Sequence, residues 1–306
     1  MIAEIFSATM LAQTLRSSVP YVGAELGGTV SERSGVINIA LEGILLSSSL
    51  ASVAVAFATH SAWAGVLAGV AVGAAIGLAH AWLVERGRVH AIVSGVAINL
   101  IAAGATRVVL KVLYDSSSNS PSIDGFRAGA SSGVGLVFAA LADPLVVMTA
   151  LAAVGTVVLL DRTRFGLRLR ASGEAPAAAA VAGVRVAPLR LAAVTLGGAL
   201  CGLGGVALAY DQRQFQSGMS GGRGFIALAA VVVAGWRPGR AALACLAFAA
   251  LDALQIVLQA RAAALHDVLQ MLPYAATLLV LAVLARGAKP GSGGAPRGLG
   301  VLAEGD

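Results

Sequence analysis

Polar side chains stand out in this chain because the sequence around them is apolar. Asn38 and Glu42 lie four residues apart just past Gly35, so a helix running through them carries both on one face. Ser94 and Asn99 open another apolar stretch, with Thr106 and Arg107 further along it. Asp252, Gln255 and Gln259 share a helical face in a third. None of these sets is a catalytic constellation. The sequence has no G-x-x-x-x-G-K-S/T phosphate-binding loop and no H-E-x-x-H, and its four histidines are scattered, so no catalytic residue and no metal ligand set is expected. An ionisable group within an apolar span is costly and defaults to a functional role, whereas Asn and Gln there serve equally well as interhelical hydrogen-bond partners. Glu42 is the hardest to read as packing, because a carboxylate at depth must be protonated, paired or hydrated.

The elements that must position these groups follow from composition. Of 306 residues 58% are hydrophobic and 12% charged, with mean hydropathy +0.86. A soluble domain carries about 25% charged residues, so this chain lacks the polar surface to meet water. Apolar segments long enough to cross a bilayer recur from end to end, and the expected fold class is all-α, a polytopic membrane protein. The net charge of +6 is then no sign of a nucleic-acid partner. No cleavable signal peptide is expected, since Glu4 rather than a basic cluster flanks the first segment. Cys201 and Cys245 both sit in apolar runs and read as buried thiols.

About nine transmembrane helices are expected. The first, 5–29, is weakened by Arg16 and Glu25; the second ends near Ala58; the third is Trp63–Val84. In the third, Gly65, Gly69, Gly73 and Gly77 recur every four residues, a spacing that lets helix backbones approach closely in lipid. The fourth is Ala91–Val112, the fifth Val134–Leu160 and the sixth Leu191–Tyr210. Phe225–Gly235 is too short to cross a full hydrocarbon core by itself, and Ala241–Leu258 and Pro273–Ala285 complete the set. Short, Gly-interrupted helices of this kind point to a transport path. A permease domain over residues 1–286 and a disordered tail over 287–306 are expected, the tail from its Gly and Pro content.

The long polar interruption at Asp161–Arg190 sets Arg162, Arg164, Arg168, Arg170, Arg185 and Arg190 against Asp161 and Glu174. Within it, Glu174–Gly183 reads as one short helix: Pro176 suits a first turn, the alanines are strong helix formers and Gly183 suits a stop. Placing this loop in the cytoplasm also places there Arg33, Arg86, Arg88, Arg237, Arg240, Arg286, Lys289 and Arg297. That bias gives an N-terminus outside and a C-terminus inside.

Four stretches resemble one family. ERSGVINIALEG (Glu32–Gly43), GRVHAIVSGVAINL (Gly87–Leu100), TRFGLRLRASGEAPAAAAVAGV (Thr163–Val184) and GRGFIALAAVVVAGW (Gly222–Trp236) are similar to the permease subunits of bacterial ABC importers for simple sugars and nucleosides. The resemblance is greatest to the shorter permease of the nucleoside systems. It implies that Arg164–Val184 holds a coupling helix, with Gly173, Glu174, Ala178 and Gly183 at its positions, docked in a separate cytoplasmic ATPase subunit that binds ATP-Mg. It further implies no cofactor in this chain, a second and different permease in a heterodimer, a periplasmic or lipid-anchored binding protein, and residence in the bacterial inner membrane. Asn38-Ile-Ala stands where the ribose-type permeases have Asp-Leu-Ser, which favours nucleosides over sugars. Asn38, Glu42 and Asn99 are then expected near the translocation path, with Phe225 a gate. The competing reading is an ion-driven carrier, for which the Asp161–Arg190 loop has no use.

Overall fold

The computed structural model describes residues 8–126, 134–259, 271, 275, 279 and 294–301. Among these the regular elements are all helices: α1 (Ala8–Arg33), α2 (Leu41–Thr59), α3 (Ala62–Glu85), α4 (Ala91–Tyr114), α5 (Val134–Leu141), α6 (Pro144–Arg162), α7 (Arg164–Glu174), α8 (Pro176–Val181), α9 (Val186–Gln212), α10 (Arg223–Val233) and α11 (Pro238–Gln259). Six of them, α2, α3, α4, α6, α9 and α11, are long and apolar enough to cross a membrane. The chain is thus a polytopic helical membrane protein.

α9 is the hub, and glycine makes it so. Gly65, Gly69, Gly73 and Gly77 are all buried on α3, and Gly73 and Gly77 lie backbone to backbone against Gly198 and Val194 of α9. On the other flank Gly23 and Gly27 of α1 meet Gly204 and Gly197. A Cβ on Gly77 would stand 2.6 Å from the Val194 carbonyl oxygen and one on Gly23 2.9 Å from Gly204. Such contacts replace the hydrophobic drive that lipid does not supply between helices.

Side-chain caps set the starts of α3, α6 and α7. Ser61 accepts from Ala64 N at 3.4 Å to start α3, and Thr163 accepts from Gly166 N at 3.0 Å to start α7. The expected span Val134–Leu160 is broken in two. Asp143 accepts from Leu145 N at 2.9 Å and Pro144 has no N–H, so the chain restarts at α6 after α5 has ended at Leu141. The expected helix Glu174–Gly183 is likewise divided. Glu174 ends α7, Ala175 is extended at φ −151° and Pro176 begins α8, because a residue preceding proline is driven out of the helical region. Gly183, at φ +84°, stops the chain as expected.

α1 runs through Arg16, Pro20 and Glu25 without breaking and is not among the six spanning helices. α10, at eleven residues, is about 16 Å long, half a hydrocarbon core. Pro273–Ala285 lies almost wholly outside the described residues. Within the tail expected to be disordered, residues 294–301 are packed: Gly298 N donates to Gly173 O and Gly300 N to Gly35 O, both at 2.8 Å. The two cysteines are buried, Cys201 donating to Leu41 O at 3.4 Å.

Candidate functional site

The chain between α1 and α2 is unwound, and the break begins in a Schellman turn. Gly35 takes φ +100°, Gly35 N donates to Glu32 O at 3.0 Å and Val36 N to Ser31 O at 3.3 Å. The extended backbone that follows would carry orphan polar groups, and side chains from four helices satisfy it. Arg190 Nε (3.0 Å) and Ser172 Oγ (3.1 Å) donate to Ser34 O. A ring nitrogen of His80 meets Ile37 O at 3.0 Å while its other nitrogen meets Ser94 Oγ at 2.9 Å. Asn99 Nδ2 donates to Ile39 O at 2.9 Å and its Oδ1 accepts from Gly43 N at 2.8 Å. Asn38, fully buried, accepts from Ala40 N at 3.2 Å and donates to Ser31 Oγ at 3.1 Å. Irregular backbone inside a membrane bundle is tolerated where protein satisfies it in this way.

A second break faces the first. After α9 the chain turns through Arg213 at φ +55° and pairs with residues 118–123, Ile123 N donating to Arg213 O at 2.8 Å and Ser217 N to Ser118 O at 2.8 Å. α10 then starts beside the N-terminus of α2. Glu42 joins the two: its Oε1 accepts from Gly222 N at 2.7 Å and its Oε2 from Gly224 N at 2.9 Å. The carboxylate therefore lies at the positive end of the α10 dipole, in charge-assisted hydrogen bonds. A Cβ on Gly224 would stand 2.6 Å from Glu42 N, so glycine alone permits this approach.

The Cys201–Leu41 contact sets the junction near the middle of α9. From there the two helices diverge. α2 runs toward the Gln212 end of α9, where Tyr210 OH donates to Ala62 O at 2.6 Å. α10 runs toward the Val186 end, where the Trp236 indole N–H donates to Glu32 Oε2 and Arg33 Nε to Trp236 O at 2.7 Å.

Asn38, Glu42 and Asn99 are thus brought together, and Phe225, 49% exposed, lies on the first turn of α10 beside them. Their polar atoms are engaged with backbone and, for Asn38 Nδ2, with Ser31 Oγ, so they brace the break rather than point into an empty cavity. At the far end of the molecule, Gly173 is buried against Arg33 and Gly35, Glu174 Oε2 accepts from Arg297 N at 3.2 Å, and Ala178 and Gly183 are exposed. The side chain that projects most from α8 is Val181, 91% exposed.

Several residues were not legible as part of this frame. Arg190, counted with the basic loop, is 1% exposed and pairs with Glu85 at 3.0 Å. Arg223 pairs with Asp252 at 2.9 Å, and Glu25, which looked like an interruption, is fully buried with Thr29 donating to it at 2.7 Å. A four-residue spacing marks partners on one helix, as with Glu25 and Thr29, but Arg223 and Asp252 lie 29 residues apart and Arg190 and Glu85 105. Gly218–Gly222 spells G-x-S-x-G, yet Ser220 is 2% exposed in a turn that no strand precedes, so it is not a nucleophile elbow.

Curated relatives share this frame's sequence over most of its length. The chain is 33% identical over 270 residues to the guanosine ABC transporter permease protein NupQ of Bacillus subtilis, covering 84% of each. It is 31% identical over 295 residues to the nucleoside ABC transporter permease protein NupC of Lactococcus lactis, covering 90% of this chain and 91% of that one. It is 35% identical over 273 residues to the putative glucose ABC transporter permease protein TsgC13 of Haloferax volcanii, covering 85% and 80%. No solved structure matches the chain at a significant level. Residues 10–281 match the family described as branched-chain amino acid transport system / permease component, and the chain belongs to that family of ABC transporter permeases.

Proposed function

We propose that this chain is the membrane-spanning subunit of an ATP-driven importer for nucleosides. The observation that carries the reading is the junction of two helix N-termini, those of α2 and the short α10, held by Glu42 near the middle of α9. Discontinuous helices whose N-termini meet inside a bundle are how transporters build a site for a polar solute at the midplane. Relatives that handle guanosine and nucleosides support the substrate class. A relative that handles glucose supports a simple sugar as the second reading.

In this reading the permease domain is residues 1–286 with about nine spans, the N-terminus outside and the C-terminus inside, in the bacterial inner membrane. Its partners are a second, different permease, a periplasmic or lipid-anchored binding protein and a cytoplasmic ATPase subunit that binds ATP-Mg. α8 is the coupling helix, with Glu174, Ala178, Val181 and Gly183 at the dock and Gly173 beneath it. Asn38, Glu42, Asn99 and Phe225 border the path. Motion of α8 reaches the path through packed groups: Gly173 abuts Arg33 and Gly35, and Ser172 and Arg190 both grip Ser34 O at the first turn of the break. Alternating access is then a displacement of this break and of the α2–α10 junction it carries.

The test is uptake of labelled nucleosides by cells expressing the chain with its ATPase, second permease and binding protein. Saturable nucleoside uptake is expected. Glucose uptake without nucleoside uptake would move the assignment to a simple-sugar importer.

A further inference from the structure

At the Gln212 end of α9 two adjoining cavities, of about 80 and about 30 Å3, share Arg16, Ala207 and Asp211 as lining. The larger is ringed by Gln13, Arg16, Asp211, Gln212, Arg223 and Asp252, and the smaller adds Asp143 and the rings of Phe126 and Tyr210. These groups come from α1, α9, α10, α11, the loop after α4 and the α5–α6 break, so their meeting is not visible in the sequence. The larger space has room for several waters, and its lining supplies both donors and acceptors.

Two features set the lining apart from packing. Arg16 Nε is buried and has no hydrogen-bond partner among the described residues. The Arg223–Asp252 pair, 2.9 Å apart with side chains 22% and 9% exposed, closes the cavity on the side of the α2–α10 junction. Arg223 Nη1 also donates to Met219 O at 3.1 Å, and its guanidinium lies 5.8 Å from the Tyr21 ring. A partly buried ion pair is weak as a source of stability, and ionisable groups within a bundle default to function. Arg223 moreover follows Gly222, whose N–H is held by Glu42, so one turn of α10 touches both the cavity and the junction.

We propose that this cavity is the external vestibule of the path, a subsite for the hydroxyl-rich part of a neutral solute, with the Arg223–Asp252 pair as its floor. Two arginines against two or three aspartates leave little net charge, which suits an uncharged ligand over an ionic one. Carboxylates accept from sugar hydroxyls, and guanidinium and amide groups donate to their oxygens. Phe126 and Tyr210 offer an apolar face to a ring at the mouth. The proposal rests on the importer reading and on its placement of the Gln212 end outside.

The test uses the complete transporter, with binding protein, in sealed right-side-out vesicles. Cys201 and Cys245 are buried, so the native background toward a membrane-impermeant thiosulfonate is low. Ser17→Cys and Ile256→Cys line the larger cavity without removing a polar group assigned to the ligand, and Val154→Cys on the exposed apolar face of α6 is the control. Uptake by each variant verifies folding. Both cavity cysteines are expected to label from outside, slowed roughly tenfold by nucleoside at ten times its half-saturating concentration, while Val154→Cys is unaffected. Transport-competent variants that do not label, or that label at the same rate with nucleoside, would overturn the vestibule. Protection and uptake with glucose but not with nucleosides would leave the vestibule standing and remove the nucleoside assignment.

Discussion

At the scale of single residues, backbone satisfaction dominates this molecule. Glu42 caps α10 with both carboxylate oxygens, and hydrogen bonds to a charged group contribute about 1.5–3 kcal/mol each. Glu42→Gln keeps the volume but turns an amide NH2 toward a backbone N–H. It is expected to lower the melting temperature in detergent and cut uptake at least tenfold, and wild-type values for both would contradict the assigned role. Gly224→Ala should be worse than its size suggests, because the added methyl meets the Glu42 backbone. Overpacking of this kind costs about 1–3 kcal/mol. Arg190 and Glu85 form a buried pair, and removing one partner strands the other charge at a cost of about 3–5 kcal/mol. Glu85→Ala is therefore expected to reduce the amount of folded protein sharply, as read by size-exclusion of a fluorescent fusion, and Arg190→Ala to do so further because Ser34 O and Val301 O lose a donor as well.

At the scale of elements, the glycine face of α3 sets how closely it lies on α9. Gly73→Leu should separate the two helices and abolish folding, whereas Leu67→Ala, at a site 71% exposed, should leave assembly intact. Equal yields of the two variants would show that the face does not pack. This face was legible in the sequence because its period of four lies within one helix, and so were the shortness of α10 and the stop at Gly183. What was not legible depended on distant chain or on local stereochemistry that composition hides. The span 134–160 looks continuous by hydropathy, but Asp143-Pro144 restarts it. The polar loop 161–190 looks solvated, yet α7 buries Gly166, Leu169, Ser172 and Gly173 along one face and Arg190 plugs the Ser34 carbonyl. Asn38, Glu42 and Asn99 were singled out from polarity and from the family resemblance, but their contacts required knowing that residues 34–40 unwind. Residues 294–301 look disordered by their glycines, and those glycines are what lets them reach Gly173 and Gly35.

At the scale of the whole molecule, α7 and α8 link an exposed surface, the proposed dock, to the break between α1 and α2. Val181→Asp places a charge on the most exposed apolar side chain of α8, and Gly183→Pro cannot adopt φ +84°. Both variants are expected to fold and to bind the substrate-binding protein while losing uptake and substrate-stimulated ATP hydrolysis together. Unchanged uptake and ATPase activity in both would remove α8 as the coupling helix. The central claim, that this permease moves its solute only when a separate subunit hydrolyses ATP, is tested most directly by labelled nucleoside uptake measured with and without that subunit. Uptake should appear with the ATPase present and vanish when its phosphate-binding-loop lysine is replaced. Uptake by this chain alone, lost on dissipating ion gradients, would contradict the account and make the protein an ion-driven carrier.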